Sequence, residues 1–216
     1  MRHIYQLWRF LQHAAAMLFC AIAAAVVLWA DIYPFLAPNC PISGADALII
    51  EGWMPDYAIE AAAAEFRQGQ YRFIVTMGSP ITHNKYFIEH DTFADLAAAT
   101  LTVLGVDPEK IVALPHSLVS AHRTATAAIA LRQWSSDADV ALKSVTLCSL
   151  GPHARRSWEL YRSALQPDVQ VGVLAMTPQD YEPSRWWRTS SGARVVMGEM
   201  IAYTHHCFSR QLNQIL

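Results

Sequence analysis

Apolar residues recur along this chain in two rhythms. Short, nearly unbroken apolar runs at 45–50, 71–76, 110–114, 144–148 and 169–175 are bounded by Gly, Pro or polar residues. Runs of that length and composition read as strands buried on both faces of a sheet. The stretches between them follow a helical period. Ile59, Ala62, Ala63 and Phe66 fall on one stripe of a helix over 57–68, with Asp56 placed to cap it and Gly69 to end it. Helices are likewise predicted over 93–104, stopped by Gly105, and over 121–134, where Ala125, Ala128, Ile129 and Leu131 are apolar. In the helix predicted over 152–165, Ala154, Trp158, Tyr161 and Leu165 share a face. A last helix is predicted over about 191–212.

Strands alternating with helices imply βαβ units. The expected fold is a three-layer α/β/α, Rossmann-like domain with about five parallel strands. Ligands of such sheets bind beyond the carboxyl ends of the strands, near the point where strand order reverses. The strand-exit loops 51–55, 77–80, 115–124, 149–156 and 176–187 therefore share one rim. They hold most of the polar residues that lack an obvious structural task.

The N-terminal segment has no such alternation. Between Arg9 and Asp31 there is no charged residue, and 14–30 is almost purely apolar. With Phe10 and Leu11 the run reaches the ~20 residues that span a bilayer. Arg2 and Arg9 precede it, so the positive-inside rule places the N-terminus in the cytoplasm and the rest on the outer, periplasmic side. Trp8 and Trp29 suit the two interfaces. A cleaved signal peptide is the competing reading, since Ala23-Ala24-Ala25 offers small residues. The apolar run continues through Val26–Trp29, which favours a single-pass anchor in the cytoplasmic (inner) membrane. The expected organisation is an anchor over 1–31, a proline-bearing linker over 32–43 (Pro34, Pro38, Pro41) and an α/β domain over 44–216.

Composition removes several classes. A 53% hydrophobic content excludes a disordered chain, and a net charge of -2 gives no nucleic-acid footprint. The four cysteines show neither CxxC nor regular spacing, so they form no zinc or disulfide framework by pattern, although a bridge from Cys40 stays open. His205-His206-Cys207 resembles a metal tract, but helical neighbours point about 100° apart and do not readily share one ion. No metal site and no cofactor is named by the sequence.

The candidate chemistry centres on Val145-Thr-Leu-Cys-Ser-Leu-Gly-Pro-His-Ala-Arg-Arg-Ser157, a strand, a turn at Gly151 and a helix start with Pro152 in its first position. Arg155 and Arg156 stand beside the positive end of the helix dipole, where cations are disfavoured. A bound anion would account for them, because free N–H groups and guanidinium forks converge there. Alternatively Arg155 pairs with Glu159 at i+4. His153 is a candidate general acid or base. Glu51, at a strand's carboxyl end, is a candidate base or hydroxyl acceptor, or else an ion-pair or cap residue. Ser79, Arg123 and Thr124 are candidates for the same anion. Ser79 alternatively serves the turn at Pro80, and Thr124 caps its helix. Ser149 lies in a partial nucleophile elbow whose first glycine is replaced by Leu147. Cys148 is expected in the core. Trp186-Trp187 reads as a lid, as a lipid-contacting pair or as packing against the last helix. Glu199 and Tyr203, one turn apart, are expected to pair.

In order and spacing these segments resemble the ElyC/SanA/YdcF-like family. Ala45-Asp-Ala-Leu-Ile-Ile-Glu-Gly52 is similar to its first strand and loop, and Thr76-Met-Gly-Ser79 to its second strand exit. Gly105-Val-Asp-Pro-Glu-Lys-Ile111 resembles its approach to strand three, and Ser120-Ala-His-Arg-Thr124 its Ser-x-x-Thr segment. Thr146 to Arg156 resembles its Thr-Ser-x-x-His-x-x-Arg segment, with His153 and Arg156 at the matching places. The resemblance covers about 45–175. Two departures stand out. Glu51-Gly52-Trp53 replaces a glycine-rich first loop, and no asparagine follows Thr124. The resemblance implies a Rossmann-like domain, often behind one membrane anchor, linked to envelope and peptidoglycan homeostasis. The expected ligand-binding residues are Arg156, Arg123, Thr124, Ser79, Gly52, Gly78 and Ser149. The expected function is binding, with possible hydrolysis through His153 and Glu51, of a phosphorylated or anionic envelope ligand such as a lipid-linked precursor. The alternatives are a non-catalytic nucleotide-like binding module and a membrane-associated scaffold.

Overall fold

The computed structural model describes residues 13, 15–20, 29, 31–82, 89–117 and 123–215. The elements in chain order are β1 (Asn39–Cys40), β2 (Ala47–Glu51), α1 (Asp56–Gln68), β3 (Phe73–Gly78), α2 (Phe93–Val103), β4 (Ile111–Pro115), α3 (Arg123–Asp137), β5 (Ser144–Leu150), α4 (His153–Leu165), β6 (Gln170–Met176) and α5 (Ser190–Ile215). Short 3-10 turns cover Pro108–Lys110 and Pro183–Arg188.

The six-stranded sheet has the order β1-β6-β5-β2-β3-β4. β2 to β6 are mutually parallel, as expected, while β1 is an antiparallel edge on β6 that the apolar pattern does not predict. Strand order reverses between β2 and β5, which pair through Ile49↔Leu147 and Ile50↔Cys148.

Alternation along the strands divides the core into two layers. Leu48, Ile50, Ile74 and Cys148 pack on α1 and α2 through Ala58, Ala62, Ala97 and Leu101. Ala47, Ile49, Val75 and Leu147 pack on α3 and α4 through Ala128, Leu131, Tyr161 and Leu165. Each fully buried Leu, Ile or Val contributes roughly 1.5–3 kcal/mol of burial free energy. Glu51 and Ser149 have the parity of Ile49 and Leu147, so both continue the α3/α4 face at the carboxyl ends of their strands.

Several boundaries shift for identifiable reasons. β3 starts two residues later than expected because Tyr71 is drawn back onto α1, where it donates to Glu65 Oε1 (2.8 Å) and stacks on Phe66. α1 begins at Asp56, with Pro55 at the cap and no side-chain cap bond. Asp56 is thus a first-turn carboxylate favourable to the dipole, not the cap. Pro152 occupies the cap position of α4 rather than its first turn, and Gly151 before it has φ +45. Thr124 lies inside α3, one residue after Arg123, so it does not cap that helix.

The stretch expected as a linker carries structure. Residues 31–36 are helical, Leu36 is buried and β1 pairs with β6. Gly172 permits that pairing, because a Cβ there would lie 2.8 Å from the Cys40 carbonyl oxygen. The four cysteines, Cys40 among them, are free, and Cys148 is in the core as expected. The expected anchor over 14–30 falls largely outside the described residues. Among the described residues no helix is long and apolar enough to cross a membrane.

Candidate functional site

Glu51, the last residue of β2, is 4% exposed at the point where strand order reverses. A buried carboxylate is costly unless its oxygens are satisfied. Ser149, from β5, donates its hydroxyl to Oε2 at 2.5 Å, and Ser157, from α4, donates to Oε1 at 2.8 Å. Ser149 is fully buried and bonded to a carboxylate, so it is a support for Glu51 rather than an exposed nucleophile.

His153 opens α4. Its Nδ1 is 2.8 Å from Glu199 Oε1 and its Nε2 is 3.9 Å from Glu51 Oε1. The Trp53 ring stands perpendicular to the imidazole, with centroids 5.2 Å apart and planes at 87°. Arg156 NH2 also lies 3.0 Å from Nδ1, and one nitrogen cannot both donate to Glu199 and accept from Arg156. The closer, charge-assisted contact assigns the Nδ1 proton to Glu199. That leaves Nε2, on the Glu51 side, as the atom free to exchange a proton.

Arg156 holds Glu199 with two bonds, Nε to Oε2 at 3.0 Å and NH2 to Oε1 at 3.1 Å. Burial alone would raise the Glu199 pKa, but the hydrogen bonds and charges of His153 and Arg156 outweigh it and hold the carboxyl down to about 2. The anion that the first-turn arginine calls for is therefore supplied by α5. Glu199 does not form the expected pair with Tyr203, whose ring packs edge-on against Phe35. Arg155 donates from Nε to the Phe35 carbonyl at 2.7 Å and lies over the Phe35 ring at 4.4 Å. It ties residues 31–36 to α4, in place of the expected bridge to Glu159, whose carboxylate is 3.7 Å from Arg162.

These residues border a cavity of about 900 Å³ on the expected rim. Glu51, Gly78, Ser79, Arg123, Thr124, His153 and Arg156 all line it. Ser149 reaches it only through Glu51. Gly52 is a packing residue, since a Cβ there would lie 2.4 Å from the Phe93 carbonyl oxygen. Gly78 shares that constraint, with a Cβ position 2.3 Å from the Ala94 nitrogen. Ser79 accepts the Phe93 N–H through its carbonyl (3.0 Å), so it also fixes the start of α2.

Several lining residues, among them His116, Tyr161, Glu199 and His205, and the supporting Ser157 have no place in the sequence-based site. His116 follows β4; burial lowers its pKa, and the Arg123 charge lowers it further. Tyr161 is fully buried with no hydrogen-bond partner for its hydroxyl. Glu199 and His205 come from α5. Ser157 supports Glu51 from outside the lining. Its i+4 spacing from His153 was the signal that places both on one side of α4. No group of three or more His, Cys, Asp or Glu among the described residues is arranged to hold a metal ion. Trp186 is buried with Leu36, Tyr181 and Val196, as the packing reading expects, while Trp187 is 44% exposed.

No family model, curated protein or solved structure matches this chain. The class defined by fold and site is an α/β domain with a mostly parallel, Rossmann-like sheet and a carboxylate–histidine cluster at its switch point.

Proposed function

We propose that this chain binds a phosphorylated or otherwise anionic ligand in the rim cavity, and that His153 and Glu51 exchange protons with it. The observation that carries the reading is the placement of His153 Nε2 and Glu51 Oε1. They stand 3.9 Å apart, too far for a direct hydrogen bond, and both residues line the cavity. Glu199 sets the orientation of the ring, as the carboxylate of a catalytic triad orients its histidine. Arg123 lines the same cavity and is exposed, and its side chain makes no hydrogen bond or ion pair with another described residue. It is the cation best disposed to meet an anion, since Arg156 is engaged by Glu199.

In the hydrolytic form of this reading, water attacks phosphorus, the bond to the leaving oxygen breaks, and His153, acting as the imidazolium, gives that oxygen its Nε2 proton. Glu51 takes the proton of the attacking water. The apolar run at 14–30 and the ElyC/SanA/YdcF-like motifs support a setting at the outer face of the cytoplasmic membrane, in envelope biogenesis and peptidoglycan homeostasis. A lipid-linked envelope precursor is then the natural ligand. The test is turnover of a panel of phosphomonoesters and phosphodiesters, with and without divalent metal. Activity that disappears in His153→Ala while the fold is kept supports the reading. Turnover equal to wild type in that variant removes His153 from the chemistry.

A non-catalytic, nucleotide-like binding module is the second reading, favoured by the position of the cavity at the switch point of a Rossmann-like sheet. Saturable nucleotide binding without turnover would select it. Exposed Trp187 keeps a scaffold reading testable, through a membrane-partner pull-down that depends on Trp187 and not on His153.

A further inference from the structure

The cavity has a carboxylate half and a half whose cation is Arg123. Glu51, His153 and Tyr161 line the side under β2, β5 and α4, while His116 and Arg123 line the side after β4. β3 lies between β2 and β4 in the sheet. Two strand spacings therefore separate the ends of β2 and β4, roughly 10 Å. That separation exceeds one phosphate group and suits a phosphate joined to a hydroxylated body.

The Tyr161 hydroxyl is the unusual group. It is fully buried, belongs to a residue lining the cavity and has no partner. Buried hydroxyls are almost always bonded, and an orphan asks for an account. Burial raises the phenol's pKa well above its usual value and the Glu51 charge raises it further, so the hydroxyl is a donor at neutral pH. Glu51 complements it as an acceptor. Each of its oxygens takes one serine hydroxyl and keeps a further lone pair.

We propose that the cavity selects a phosphorylated sugar or polyol, with the phosphate at Arg123 and a ligand hydroxyl accepting from Tyr161 and donating to Glu51. Tyr161 is then a specificity-determining residue. The inference rests on the anion-binding reading above and narrows it to one ligand class.

The test is calorimetric titration of full-length protein with glucose 1-phosphate and with phenyl phosphate, which keeps the phosphoester but has no hydroxyls. Wild type is expected to bind glucose 1-phosphate at least about tenfold more tightly, because sites built to bond a hydroxyl reject analogues that lack it. Tyr161→Phe is expected to equalise the two and leave phenyl phosphate within about twofold of wild type. Its thermal midpoint should match or exceed wild type, since no bond is lost in the free protein. A Tyr161→Phe protein that keeps the preference, or a wild type that shows none, overturns the proposal while leaving anion binding in place. Wild type binding neither phosphoester overturns the anion-binding reading and this inference together.

Discussion

Glu199 of α5 grips Arg156 of α4 through two bonds of 3.0 and 3.1 Å and, with the same Oε1, accepts a hydrogen bond from the Nδ1–H of His153. One carboxylate thus neutralises the awkward arginine at the helix start and orients the candidate catalytic ring. Glu199→Gln should destabilise the protein by about 2 kcal/mol, because it leaves Arg156 partly buried without its counter-charge. Urea denaturation measures this. Arg156→Lys should recover little, since an ammonium cannot reproduce the paired contact.

Acid stability follows from the same cluster. The Glu199 carboxyl is lowered from 4.5 to about 2 in the folded protein. Its contribution is therefore fully present above pH 4.5 and is lost as pH falls from there through about 2. Stability measured against pH should decline across that window in wild type and decline less steeply in Glu199→Gln.

Glu51 depends on its two serines. Ser157→Ala and Ser149→Ala each remove one donor to a buried carboxylate and should each cost about 1–3 kcal/mol. Because both act on one group, the double variant should depart from additivity. A double-mutant cycle by chemical denaturation reads the coupling.

The rim glycines separate packing from binding. A Cβ at Gly78 would sit 2.3 Å from the Ala94 nitrogen, a backbone atom that cannot swing aside. Gly78→Ala should cost about 1–3 kcal/mol in thermal or urea unfolding, whether or not ligand is present. Gly52→Ala should behave alike, against the Phe93 carbonyl oxygen.

Much of the fold was legible in the sequence because the parallel strands are buried on both faces and read as apolar runs. β1 was not, since two residues flanked by prolines carry no periodic signal and their pairing depends on Gly172, far along the chain. Glu51, His153, Arg123 and Arg156 were legible as polar residues at strand exits and helix starts. Their partners were not. Glu199 sits in the middle of α5 and reaches the rim only through the way that helix packs on α4. Tyr161 reads as an ordinary apolar-face residue, because nothing local tells a packed tyrosine from one whose hydroxyl lacks a partner. The role of Arg155 is hidden from the sequence for a related reason, since its carbonyl partner Phe35 lies 120 residues away.

The cavity joining Arg123, His153 and Glu51 is the proposed ligand site for an anionic phosphoester. Its most direct test is calorimetric titration of one phosphoester into wild type, Arg123→Ala and Glu51→Gln, all shown to be folded. Saturable binding to wild type at one site is expected, weakened about tenfold or more in Arg123→Ala by loss of a charge-assisted contact. Equal affinity in all three proteins would contradict it.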